Sequence, residues 1–169
     1  MIQDLFSMTA KVCLITGGSS GLGSYMAQGF LEAGAERVFI TGRSKDKLFK
    51  KADELSALGK GQCIGIPGDL SDLEGVQVLA DTISKRESHL DVLVNNAGLG
   101  LGTQIQTMTA EAWDKSMDLN TRSPLFLTQA LLDLLKAKAT LDDPSRIIFI
   151  SSVAASGVLP SVLAYSTSK

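Results

Sequence analysis

Lys11-Val12-Cys13-Leu14-Ile15-Thr16-Gly17-Gly18-Ser19-Ser20-Gly21-Leu22-Gly23 joins a short apolar run to a glycine-rich turn and then to helical periodicity. Residues 11–16 are apolar and β-prone without alternation, the pattern of a strand covered on both faces. After the turn, Leu22, Met26, Phe30 and Ala33 fall at helical spacing and predict the buried stripe of a helix that Gly34 stops. A strand, a glycine turn and a helix in that order aim backbone N–H groups and the positive end of a helix at one point, where a pyrophosphate can sit. A glycine-rich turn can also be simple packing; its place in the first βα unit is what favours a dinucleotide. No Gly-Lys-Ser/Thr follows, so the turn is not a Walker A loop.

Working outward, the same alternation recurs. Residues 37–41, 62–66, 92–94 and 146–150 read as four more strands, the first of them buried. Ser44 is placed to cap a helix carrying Leu48, Ala52, Leu55 and Leu58, which Gly59 ends. Ser71-Asp72-Leu73-Glu74 has capping-box spacing ahead of Val76, Leu79, Ala80 and Ile83. Thr109 opens helical sequence with Trp113 and Met117, and residues 124–139 carry Leu125, Thr128, Leu132 and Leu135 on one predicted face. Five βα repeats with right-handed crossovers make one α/β domain over residues 1–169, a doubly wound parallel sheet of Rossmann-like type.

Composition narrows the function. Sixteen Lys and Arg against eighteen Asp and Glu give a net charge of −2, which argues against a nucleic-acid or anionic-membrane binder. Aromatics at 5% are too few for a base-stacking surface. Cys13 and Cys63 sit in separate apolar runs and read as buried thiols in a reducing, cytoplasmic setting. No apolar run is long enough to span a bilayer, and the first ten residues lack the pattern of a secretory signal. One histidine and two separated cysteines make a structural zinc site improbable, and no metal is expected. His89 is read as a surface residue.

The end of the second strand selects the dinucleotide. A carboxylate there would hold the ribose hydroxyls and repel a 2′-phosphate. Gly42 and Arg43 stand there instead, and the planar fork of Arg43 suits a phosphate, favouring NADP(H); a solvated surface arginine is the plainer alternative. Asp69, past the third strand, is placed to accept from the adenine amino group, or is an ordinary turn aspartate.

Thr16-Gly-Gly-Ser-Ser-Gly-Leu-Gly23, Asn95-Asn-Ala-Gly98, Ser151-Ser152 and Tyr165-Ser-Thr-Ser-Lys169 resemble, in order, the motifs of the short-chain dehydrogenase/reductase family. A Tyr-x-x-x-Lys match alone is common by chance; Ser152 thirteen residues before Tyr165, with Asn120 ahead of the fifth strand, makes it specific. Hydride transfer to a ketone leaves an alkoxide that needs a proton, and a free phenol at a pKa of ~10 gives one up reluctantly near neutrality. Lys169 lies four residues after Tyr165, on the same helical face, where its ammonium favours the phenolate. The resemblance implies Asn120, Ser152, Tyr165 and Lys169 as the catalytic set, with Asn120 supporting a water-linked proton relay and Lys169 also binding the nicotinamide ribose. It implies cofactor contacts from Thr16, Gly17, Ser19, Ser20, Gly21, Leu22, Gly23, Arg43, Asp69, Leu70, Asn96, Ala97 and Gly98, together with Tyr165 and Lys169. Taken singly, Ser151 and Ser152 could merely end a strand, Asn120 could cap a helix, and Asn95-Asn96 could be turn chemistry.

The resemblance is strongest to 3-oxoacyl-(acyl-carrier-protein) reductases, including the rhamnolipid-biosynthesis type, which implies reduction of a 3-oxoacyl thioester or similar ketone by NADPH. A sugar, polyol or secondary-metabolite ketone reductase is the enzymatic alternative, and a non-catalytic nucleotide-binding protein is the other. A methyltransferase reading of the glycine turn leaves the Tyr–Lys pair unexplained. Family members continue past the lysine with further strands and a substrate loop, so the sequence reads as the N-terminal part of a longer reductase whose C-terminal strands are missing. On that reading residues 146–150 form an exposed sheet edge, and a chain ending at Lys169 is expected to bind cofactor weakly and to have little activity. A homo-oligomer is expected of the full-length family member.

Overall fold

The computed structural model describes residues 6–58, 61–157 and 159–169. Five parallel strands, β1 (Val12–Ile15), β2 (Arg37–Gly42), β3 (Gln62–Pro67), β4 (Val92–Asn95) and β5 (Arg146–Phe149), form one sheet in the order β3-β2-β1-β4-β5. The order reverses between β1 and β4, and ligands of open α/β sheets lie outside the carboxyl ends of strands at such a switch point. Helices α1 (Gly21–Glu32), α2 (Lys45–Ser56) and α3 (Leu73–Arg86) provide the first three crossovers. The fourth contains α4 (Ala110–Met117), a π-helical turn at Asp118–Arg122, α5 (Ser123–Ala130) and α6 (Leu132–Lys136). A short helix α7 (Leu163–Ser168) follows β5.

Alternate side chains of each strand point to opposite faces, and both faces of β1, β2 and β4 are covered, whereas β5 is exposed along its length. Val12 and Leu14 of β1 join Phe39 and Leu93 under α3 and α5, while Cys13 and Ile15 join Val38, Ile40 and Val94 under α1 and α2. Each fully buried leucine or isoleucine here contributes roughly 1.5–3 kcal/mol. The two sandwiched layers make β1 and β4 the rigid floor of everything built above them.

The strands and the fold class match the sequence-based expectations; several helix faces do not. The buried residues of α1 are Gly23, Ser24, Ala27 and Leu31, whereas Leu22 is 66% exposed. Met26 and Phe30 pack only at the margin of that core. Small residues face the sheet because α1 lies close against it. The long helix expected over residues 124–139 is interrupted at Leu131, and its buried ridge is Leu127, Leu131 and Leu135, leaving Leu125 and Leu132 exposed. The cap of α3 is Asp72, which accepts from Gly75 N at 2.8 Å, one residue later than the expected Ser71. Ser44 occupies the N-cap position of α2 but makes no capping hydrogen bond, and Leu58 is exposed; Gly59 lies outside the described residues.

His89 is not on the surface. It is 6% exposed, with Nε2 3.4 Å from Asp91 Oδ2 and 3.3 Å from Lys138 Nζ. Burial pushes the thiols of Cys13 and Cys63 up to about 12, and neither is paired. β5 is an edge strand, its Phe149 56% exposed. Among the described residues no helix is long and apolar enough to cross a membrane, and no group of three acidic, histidine or cysteine side chains could hold a metal ion.

Candidate active site

The turn after β1 is braced from below before it offers anything to a ligand. The Thr16 hydroxyl accepts from Asn96 N at 3.0 Å and from Ala97 N at 2.9 Å, and the Asn96 amide donates to the carbonyls of Thr16 and Gly17. Gly17 N donates to Thr41 Oγ1 and Gly18 N to Thr41 O. Thr16, at 2% exposure, therefore lies under the cleft and ties the ends of β1 and β4 together.

Gly17 has φ +68°, a left-handed conformation that a side chain would strain. At Gly23 the constraint is proximity instead: a Cβ would lie 2.7 Å from Asn96 Nδ2 and closer still to the Gly17 carbonyl. The first turn of α1 carries no acidic residue, and Ser20 at its N-cap makes no side-chain capping bond, so the positive end of the helix faces the turn without an internal anion.

Above this turn lies a cleft of about 340 Å³. Gly17, Ser19, Ser20, Arg43, Asp69, Leu70, Asn96, Ala97 and Gly98, all named from the sequence, line it. Arg43 is exposed and makes no ion pair among the described residues, so its guanidinium is available at the cleft edge. One Asp69 oxygen accepts from Ser71 N at 3.0 Å, which makes this residue a turn aspartate as well as a cleft wall. Gly21 and Gly23 shape the turn without lining the cleft.

A second cavity, about 400 Å³, shares the Asn96, Gly98 and Leu99 wall with the first. Leu22, Ser152, Tyr165 and Lys169 line it. The exposed Leu22, misplaced by helical periodicity, is thus a cavity residue. The Lys169 ammonium lies 5.8 Å from the centre of the Tyr165 ring and donates to Ile150 O at 2.9 Å, which holds it beside the phenol. Ser152 Oγ accepts from Ala154 N at 3.2 Å, capping the short turn Val153–Ala155. Ser152 both ends the strand region and presents a hydroxyl to the cavity.

Asn120 lines neither cavity. It is 8% exposed in the π-helical turn, where its amide donates to Leu99 O and Ser168 Oγ and accepts from Leu99 N. Leu99, Gly100 and Leu119 also line the two cavities and carry no sequence pattern that marks them.

A family model described as short chain dehydrogenase matches residues 11–169. The chain belongs to the short chain dehydrogenase family. Among its curated relatives, the rhamnolipids biosynthesis 3-oxoacyl-[acyl-carrier-protein] reductase of Pseudomonas aeruginosa is 42% identical over 153 residues, 90% of this chain and 59% of that protein. The solved Pseudomonas aeruginosa RhlG/NADP active-site complex superposes with a TM-score of 0.90 at 41% identity, covering 96% of this chain and 63% of that one. A metagenomic short-chain oxidoreductase in complex with NADP gives 0.86 at 32% identity, over 96% and 71% of the two chains. This short chain dehydrogenase thus spans about three fifths of the length of the relative and of the first of these structures.

Proposed function

We propose that this chain binds NADP(H) and carries the catalytic residues of a ketone reductase that forms a secondary alcohol, with a 3-oxoacyl thioester as the substrate class. The observation that supports this most directly is the shared Asn96–Leu99 wall: a glycine-lined cleft with Arg43 at its edge opens beside the cavity that holds Ser152, Tyr165 and Lys169. The residues present fit a dinucleotide phosphate. The left-handed Gly17, the crowded Gly23 and the uncapped positive end of α1 leave backbone N–H groups for a pyrophosphate, and Arg43 suits a further phosphate. NADPH, when bound, supplies hydride to the substrate carbonyl.

The chain's own residues supply the rest. The Ser152 hydroxyl donates to the substrate oxygen and orients it. The Tyr165 hydroxyl gives its proton to the same oxygen as charge develops there, and the Lys169 ammonium stabilises the phenolate left behind. Asn120 holds the Leu99 segment that forms the common wall. The 3-oxoacyl substrate draws its support from the name of the 42% identical relative. Unpaired, buried thiols support a cytoplasmic location, and exposed Leu125, Phe126 and Leu132 support a homo-oligomer.

Loss of NADPH absorbance with 3-oxoacyl thioesters and a panel of other ketones, beside a Tyr165→Phe control, tests the reading. Turnover that falls by at least ~100-fold in the control, with NADPH still bound, is expected. Undiminished turnover in Tyr165→Phe removes the phenol from the chemistry, and absence of NADPH binding removes the reading altogether.

A further inference from the structure

Helix α7 is six residues long, too short to hold its own shape, and it ends on the residues that matter most. Its last turn is held from outside. Asn120 Nδ2 donates to Ser168 Oγ at 2.9 Å, and Thr121 Oγ1 donates to Ser168 O at 3.3 Å. Ser168 Oγ in turn donates to Tyr165 O at 2.7 Å. Ser168 is thus bonded through its hydroxyl and its carbonyl to a segment 47 and 48 residues away.

The π-helical turn explains how two consecutive residues do this. On a regular α-helix, side chains at i and i+1 do not face the same way, yet Asn120 and Thr121 both reach Ser168. Asn120 also holds both backbone groups of Leu99, at 2.9 and 2.8 Å. Both Nδ2 hydrogens and one oxygen lone pair of this buried amide are therefore used. The chain of bonds runs from the wall of both cavities, through Asn120 and Ser168, to the backbone of Tyr165.

We propose that Ser168 is a positioning residue, a clasp that sets Tyr165 and Lys169 against the Leu99 wall; this rests on Tyr165 and Lys169 being the catalytic pair. A local reading makes the opposite prediction. If the hydroxyl only back-bonds within its helix, alanine is the better helix former and its substitution is neutral or stabilising. If it is a clasp, Ser168→Ala leaves one Asn120 N–H buried without a partner and loosens Leu99.

Amide hydrogen exchange of the unliganded chain, read residue by residue, separates the two. In Ser168→Ala, exchange at Leu99 accelerates about tenfold while Leu14 and Leu93 in the sheet stay unchanged, and Ser168→Thr restores the slow rate. With NADPH and ketone, kcat falls about tenfold in Ser168→Ala, KM for NADPH stays within about twofold, and Ser168→Thr recovers most of the loss. Unchanged exchange at Leu99 overturns the clasp, as does faster exchange with unchanged kcat. If the unsubstituted chain binds no NADPH, the reductase reading fails; there, and where its turnover is too slow to read, the exchange comparison alone decides whether the clasp exists.

Discussion

Replacing Gly23 with alanine adds one carbon to α1 at a place where the structure has no room for it. The new Cβ would lie 2.7 Å from Asn96 Nδ2 and 3.0 Å from the Gly17 carbonyl carbon. An ordinary heavy-atom contact is ~3.5 Å, so about 0.8 Å must be found at the first of these. Neither neighbour yields freely. The Asn96 amide donates to Thr16 O at 2.8 Å and to Gly17 O at 3.2 Å, and the turn carrying Gly17 is tied to Thr41. Overpacking of this kind costs about 1–3 kcal/mol, and loss of one of these hydrogen bonds about 0.5–1.5 kcal/mol. A destabilisation of roughly 2–4 kcal/mol corresponds to a fall in Tm of roughly 5–15 °C for a chain of this size. Gly29 provides the control within the same helix. Nothing lies within 4 Å of a Cβ there, so Gly29→Ala is expected to raise stability by about 0.4–1 kcal/mol. Thermal unfolding followed by circular dichroism, with NADPH affinity measured on each variant, reads both effects. A Gly23→Ala chain that melts with the parent and binds NADPH equally well would refute the argument from proximity.

Two further substitutions or conditions probe other parts of the molecule. Arg43→Ala removes a guanidinium that makes no ion pair among the described residues, so NADPH affinity should fall about 10–100-fold while NADH affinity and Tm barely move; equal losses for both nucleotides in a fluorescence titration would mean that Arg43 does not read the 2′-phosphate. The thiols of Cys13 and Cys63 sit at about 12 in the folded chain, against 9.0 as their ordinary value. Above pH 9.0 the unfolded chain releases thiol protons that the folded chain retains, so stability is full below that point and falls as pH rises toward about 12. Urea midpoints should therefore drop on the alkaline side by more in the parent than in a Cys13→Ser/Cys63→Ser chain, and a parallel pH dependence in the two would contradict it.

What the sequence made legible was whatever depends on residue type at fixed spacing. The five strands were visible because apolar runs on both faces need no partner to be recognised, and the order of the glycine turn, Asn96-Ala97-Gly98, Ser152 and Tyr165–Lys169 located both cavities. Helix orientation was not legible where close packing reverses the usual rule. Gly23 and Ala27 face the sheet because larger side chains would hold α1 away, and Leu22 is exposed because it lines a cavity. The π-helical turn at Asp118–Arg122 was invisible because inserting a residue into a helical turn changes its geometry without changing its composition. Asn120 could therefore be named, but its grip on Leu99 and Ser168 could not. His89 reads as a surface residue from its place just before a strand, while Lys138, 3.3 Å from its Nε2, comes from 49 residues further along the chain.

The support of Thr16 by Asn96 and Ala97 has a bearing on how the molecule is made. The hydroxyl acceptor and its two donors are separated by 80 and 81 residues. A ribosome delivers the glycine turn early, together with β2, but the floor beneath it arrives only when β4 has emerged. Until then the cleft above the turn lacks this support, and closing so long a loop is slow compared with forming a local turn. Sequence-distant pairing of this sort makes the support of the glycine turn wait for β4, and the cleft walls for Leu119 and Asn120 further along the chain.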